Sequence, residues 1–445
     1  MTVNWLFDPY LNVRARQYRF RILNADVSRF FRIAMVIKRT NNSGKFPGET
    51  ADVSYDRVPF HMIANDGNIM EHAVPFDGSM DLNTDGNKWD HFGILSTQAI
   101  AERYDIIVDF STNNTAGIQP GDKIYMVQLL EHQDGKEPKR MVPLAKVLSG
   151  NYSNCDTAVG KFLELRVVQY NCTDKSMRPA DYVPGKQKMI PLPAISAAEL
   201  ENAKHRTFVY GRGAATDMEP VIITQARMKN SPAPNRPGNN FTYDINGQSA
   251  NLTEFEQLPV HAPKPWGIET DGGDSLGMNP HRVSAAPVMG DLEIWHLVNG
   301  GNSWSHNVHV HIEEGRILTR DGKTPPEWEK WARKDIYRLG HLDDSGGEVT
   351  FAIRFREFGG TYMSHCHNTQ HEDHALLQRW DVNNPGQLKA FLTPEPKWNG
   401  CTYTDSVTLP TAASGDVEVA QDFFNHNQAS DLLCPSGVTA DCPGL

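Results

Sequence analysis

The chain has 445 residues, 39% hydrophobic and 9% aromatic, which is enough for two or three domains with cores of their own. Its formal charge of −11 argues against nucleic acid and anionic membrane as partners. No run of eighteen apolar residues occurs, so nothing reads as a helical membrane span.

The start, MTVNWLFDPYLNV, has neither a basic segment nor an apolar stretch and does not read as a signal peptide. Apolar and polar residues then alternate over 18–23 and again over 28–35, predicting two half-buried strands joined by a turn. Residues 38–56 are polar and read as a long loop, 57–63 as a strand, and Asn65-Asp66-Gly67-Asn68 as a turn. Further strands are expected over 101–110, 123–130 and 162–169; the one short helical candidate spans 197–204. Residues 1–185 therefore form a first unit. A Pro-rich stretch follows over 186–238, with Pro191, Pro193, Pro232, Pro234 and Pro237, and reads as a linker holding one strand at 207–211. A second unit spans 239–395, with strands over 241–247, 290–299, 306–311, 348–356 and 361–367. Residues 396–445 are rich in Ser, Thr, Ala and Asp and read as a tail. The high glycine and proline counts, 35 and 28, fit an all-β chain with many turns.

Chemistry concentrates in two motifs of the second unit. One is His306-Asn307-Val308-His309-Val310-His311; the other is His365-Cys366-His367-Asn368-Thr369-Gln370-His371. On a strand, His-Cys-His sends two imidazoles to one face and the thiolate to the other, so one strand can serve two metal centres. A thiolate with two imidazoles is the trigonal set of a blue-copper electron-transfer site, and imidazoles without sulfur suit copper sites that bind oxygen. Zinc is the nearest competitor, but structural zinc prefers paired spacings such as CxxC, and only one cysteine lies near these histidines. Glu313 and Glu314, after the first motif, read as solvated charges. His61, His72, His91 and His132 stand alone in the first unit and read as structural, and His296 reads as a satisfied core histidine.

With its aliphatic residue five positions beyond the last histidine, this motif pair resembles the C-terminal cupredoxin domain of the multicopper oxidases, which include laccases, bilirubin oxidases and spore-coat-type bacterial enzymes. PYLNVRARQYRFRILNA and AERYDIIVDFS resemble that family's second, copper-free domain. The resemblance covers about 8–395 and implies two cupredoxin-like Greek-key β-sandwiches. It implies type 1 copper ligands at His306, Cys366 and His371, with Leu376 in the axial place, where a non-donor raises the potential. It implies a type 2 ligand at His309 and type 3 ligands at His311, His365 and His367, with Glu372 feeding protons to the trinuclear cluster. The implied reaction is one-electron oxidation of a phenolic, tetrapyrrole or metal-ion donor, coupled to reduction of O2 to water.

One departure matters. A complete enzyme has two further HxH motifs in an N-terminal domain. The eleven histidines of this chain outside the two motifs contain none, so half of the cluster ligands must come from a missing cupredoxin domain or another chain. The alternatives are a blue-copper electron-transfer module or an inactive fragment of such an oxidase. With Cys366 assigned to metal, Cys155, Cys172, Cys401, Cys434 and Cys442 allow at most two disulfides. Together with six Asn-X-Ser/Thr sequons (at Asn41, Asn113, Asn151, Asn171, Asn240 and Asn251), they lean towards an extracytoplasmic setting.

Overall fold

The computed structural model describes residues 1–39, 55–132, 136–152, 156–212, 266–273, 275–278, 283–301, 304–340, 346–373 and 375–382, together with the backbone of the paired strands Thr242–Ile245 and Gln248–Asn251. Strand Gln17–Leu23 shows how the alternation is used. Arg19 and Arg21 are exposed, whereas Tyr18, Phe20 and Ile22 lean on a core built around Met62, Tyr104, Ile106 and Val108. That core lies between a five-stranded sheet and a four-stranded sheet. The first runs Tyr10–Arg14, Gly160–Val168, Lys123–Gln128, Ile33–Lys38, Tyr55–Arg57; the second runs Gln17–Leu23, Arg103–Asp109, His61–Asn65, Asn68–Pro75.

A second sandwich holds the core around Trp295, Phe351, Cys366 and Trp380. Its six-stranded sheet runs Ser275–Leu276, Trp266–Thr270, Lys204–Arg212, Leu292–Asn299, Glu348–Arg354, Arg316–Arg320. Its five-stranded sheet runs Val283–Ala285, Leu377–Val382, Gly360–Cys366, His306–Val310, Ile336–Leu339. No helix among the described residues is long and apolar enough to cross a membrane.

Three expectations need correction. The strand read over 57–63 is two strands in different sheets, because Pro59 has no N–H to give a ladder and the chain crosses between sheets there. The strand expected over 28–35 begins only at Ile33, since Asp26 accepts the N–H groups of Ser28 and Arg29 and holds that stretch in a turn. Strand Lys204–Arg212, which the Pro-rich composition placed in a linker, lies inside the second sandwich's sheet between Trp266–Thr270 and Leu292–Asn299. The short helix appears at Ala197–Asn202, started by a capping box between Ser196 and Glu199. Residues 396–445 lie outside the described residues.

The two sandwiches meet through buried charge. Trp328 and Ala332 of the second unit belong to the first unit's core. Beside them Lys334 Nζ donates to Asp66 Oδ2 (2.8 Å), Glu102 Oε1 (2.9 Å) and Asn65 Oδ1 (2.6 Å). Arg338 donates to Glu329 Oε1 (2.7 Å) and Tyr104 Oη (2.7 Å), and Arg320 donates to Glu329 Oε1 (2.8 Å). Burial alone would push the Lys334 ammonium down, but Asp66 and Glu102 override it and hold its pKa above the ordinary range. Burial likewise works to raise Glu329, and Arg320 and Arg338 hold it below the ordinary range. Replacing Lys334 with Met should cost about 3–5 kcal/mol in denaturant unfolding, because Asp66 and Glu102 are left buried without their cation. A cost below about 1 kcal/mol would mean that the network does not hold the sandwiches together.

Candidate metal centres

Two neighbouring strands carry the motifs. His306–Val310 pairs antiparallel with Gly360–Cys366, placing Val308 opposite Cys366 and His309 opposite His365. The pleat then sorts the side chains. His306 and Cys366 point into the second core and are fully buried, while His309, His311 and His365 gather on the opposite side. The alternation read from His-Cys-His is therefore realised.

His371 reaches the buried side through a turn. Asn368 accepts the N–H of Gln370 (3.1 Å) and starts the helical turn Thr369–Glu372, which folds His371 back over Cys366. Cys366 Sγ lies 3.6 Å from His306 Nδ1 and 3.5 Å from His371 Nδ1, and those two nitrogens are 3.2 Å apart. The point equidistant from the three atoms is about 2 Å from each, the reach of a first-row metal bonded to imidazole or thiolate. Leu376 is fully buried in the same core cluster, and its carbonyl accepts the Cys366 N–H (3.1 Å). Leu377, half-buried, already belongs to the next strand. Burial pushes the Cys366 thiol up to about 12 and the His306 imidazolium down to about 3. The imidazole is thus a neutral donor at physiological pH, whereas the thiol must release a proton to ligate.

On the opposite face, His311 Nε2 and His365 Nε2 are 3.2 Å apart, and His309 brings a third nitrogen within 4.8 Å of both. His367 stands beside them, its ring 5.2 Å from that of His365 and 5.9 Å from that of His309. Burial lowers His309 and His365 to about 3, and lowers His311 in the same direction. The Nδ1 atom of His367 is buried with no hydrogen-bond partner, a cost that a bound ion or an added domain would relieve. Glu372 Oε2 lies 3.2 Å from His365 Nδ1, and burial raises its carboxyl above the ordinary range, so it can hold a proton next to this cluster.

Several participants had no sequence signal. Trp266 lies over His371 with ring centroids 4.2 Å apart, and Trp304 meets the same ring edge-on at 5.2 Å. Asp335 sits 4.0 Å from His309 Nδ1 and is held bidentate by Arg103 of the first sandwich (2.7 and 2.8 Å). Glu313 is not solvated: it is buried and accepts the Arg356 Nε (2.7 Å) and backbone N–H (2.9 Å), and Glu314 accepts the same guanidinium (2.9 Å). Neither belongs to the metal-ligand groups. His61, His72, His91 and His132 also stand apart from both groups. His296 is satisfied but not in the core, being half-buried on a sheet face.

Comparison with known proteins follows the same lines. Residues 232–386, a span that contains every residue of both clusters, match the multicopper oxidase family model. The chain carries a multicopper oxidase domain over those residues. The chain is 23% identical to a bilirubin oxidase of Albifimbria verrucaria over 402 residues, covering 89% of the chain but 48% of the relative. It is 20% identical to a laccase of Bacillus subtilis over 407 residues, covering 86% and 54%. A solved multicopper oxidase McoA variant (2F4) from Aquifex aeolicus superposes with a TM-score of 0.50 at 19% identity, covering 85% of the chain and 58% of the other. The chain thus spans about half the length of the curated relatives it matches, and shares the all-β cupredoxin fold of the solved one. The family uses copper, and the donor sets fit it: one soft thiolate with two imidazoles on one side, imidazoles alone on the other.

Proposed function

We propose that this chain is the electron-accepting part of a laccase-like multicopper oxidase. It takes single electrons from a small phenolic, tetrapyrrole or metal-ion donor at a type 1 site and delivers them towards O2. The observation that carries the reading is the back-to-back placement of two donor sets on one strand pair, with Cys366 bonded through the backbone to both His365 and His367. Copper, when bound, supplies the one-electron couple at the first set and the reduction of O2 at the second.

The chain's own residues set the terms. His306, Cys366 and His371 would hold type 1 copper, and the packed core around them resists a change of geometry between oxidation states. Leu376 offers no donor atom, which favours a high potential. His309 would serve type 2 copper, and His311, His365 and His367 the type 3 pair; the motif count requires further imidazoles from another cupredoxin domain or chain. Reduction of one O2 to two waters consumes four electrons and four protons, and Glu372, beside His365 and with raised affinity for a proton, is placed to pass them. Trp266 and Trp304 shield His371 from water. Cys172 is disulfide-bonded, which supports an oxidising, extracytoplasmic setting.

Anaerobic addition of a phenol, bilirubin, Mn(II), Fe(II) or Cu(I) to copper-loaded protein tests the reading. At least one donor should bleach a blue absorption band; no band, or a band that none of them bleaches, would overturn it. Replacing Leu376 with Met adds a weak thioether donor that stabilises Cu(II), so the type 1 potential should fall. A tenfold preference corresponds to about 60 mV in a redox titration of the band. An unchanged or raised potential would place a different residue over the metal.

A further inference from the structure

The first sandwich reaches the imidazole cluster of the second through one side chain. Arg103 opens the strand Arg103–Asp109, and four hydrogen bonds fix its guanidinium. Nη1 donates to the Ala101 carbonyl (3.0 Å) and Asp335 Oδ1 (2.7 Å), and Nη2 donates to the Asp66 carbonyl (2.8 Å) and Asp335 Oδ2 (2.8 Å). Asp66 grips the same place from the backbone: its carboxylate accepts the N–H of Arg103 (3.1 Å) and that of Ile336, next to Asp335 (3.2 Å). Asp335 in turn borders His309. Its carbonyl accepts the N–H of Val310 (2.9 Å) and a hydrogen bond from the His309 ring. The carboxylate stays back, with Oδ1 4.0 Å from His309 Nδ1.

We propose that Arg103 is a positioning residue for the imidazole cluster: by occupying both oxygens of Asp335 it keeps that carboxylate off His309. The ring N–H then stays on the Asp335 carbonyl, and the Nε2 lone pair is left for the side where His311 and His365 converge. A ligating imidazole is oriented by the acceptor that its other nitrogen meets, so the choice between these two oxygens sets where the lone pair points. The guanidinium decides that choice, because its planar fork holds a carboxylate at two points and leaves it no freedom to turn. Without it, Asp335 is a charged acceptor one rotation away from His309 Nδ1. A charge-assisted bond would close the gap from 4.0 Å to about 2.8 Å and draw the ring with it. Displacement by about 1 Å exceeds the roughly 0.5 Å within which a metal constellation must be held. The consequence for copper rests on the type 2 place proposed for His309, whereas the orientation of the ring does not.

NMR of the full chain labelled with 15N-histidine, holding one copper kept reduced as Cu(I), tests this without a second copper. A failed donor bleach and a failed ring orientation are therefore separate results. Loss of a signal in His309→Gln assigns it to His309. In the parent, His309 should carry its proton on Nδ1, with a lone pair on Nε2. In Arg103→Leu the Nδ1 proton resonance should move to lower field as the freed carboxylate takes the bond. Adding Asp335→Asn to that variant should return the resonance to its parental position, which a general loosening of the interface would not do. A parent with its proton on Nε2, no movement in Arg103→Leu, or a movement that survives Asp335→Asn would each overturn the proposal. Should Arg103→Leu give no blue band on oxidation, Arg103→Lys decides in its place. Its single ammonium should allow a smaller movement in the same direction, and an unmoved resonance overturns the proposal.

Discussion

Cys366→Ser should abolish the blue colour of copper-loaded protein completely while leaving its sheet structure in place. The colour requires a thiolate bonded to Cu(II), and Cys366 is the only free cysteine among the described residues, fully buried between His306 and His371. A hydroxyl at that position fills nearly the same space, so the core around Trp380 and Leu376 has little reason to reorganise. It supplies no soft donor, so copper binding should weaken steeply too, and any copper that remains should give only weak visible absorption. Copper-loaded Cys366→Ser protein that stays blue would remove the type 1 assignment and, with it, the electron entry point.

The second large effect concerns copper count and turnover. Chelating sites owe their affinity to several donors held in place together, and metal binding is correspondingly lost when the donor set is incomplete. The buried set has three donors already converged. The opposite set has His309, His311 and His365 within reach of one another and His367 beside them, which is four imidazoles for a centre that in the family holds three coppers. The 445-residue chain by itself should therefore retain about one tightly held copper after dialysis. It should accept an electron from a donor and consume no O2 catalytically with a phenol in an oxygen electrode. About four firmly bound coppers with sustained oxygen uptake would refute the argument and show that these four histidines suffice.

The two motifs made both clusters legible from sequence because their spacing fixes geometry locally. Strand alternation separates Cys366 from His365, and the short reach from Asn368 to His371 closes the buried triangle. What could not be read depends on chain segments far apart. Trp266 reaches His371 through the partner sheet of the sandwich, roughly a hundred residues away in sequence, and nothing near it signals that contact. Arg103 and Asp335 find each other across the two sandwiches, and each taken alone resembles an ordinary surface charge. Glu313 was misread on the same ground: a carboxylate in a polar stretch says nothing of the Arg356 that buries it. Strand 57–63 failed at a residue that was visible, since Pro59 is a local signal against a continuous ladder. Lys204–Arg212 was read as a strand over 207–211 but left in a linker, because the proline content on either side outweighed it.

X-ray absorption at the copper edge of the singly loaded protein tests the central claim most directly, because it reports donor atoms rather than colour or activity. The triangle of Cys366, His306 and His371 predicts one sulfur and two nitrogen neighbours around copper, with the sulfur lost in Cys366→Ser. A copper surrounded by nitrogen and oxygen alone in the parent protein would contradict it.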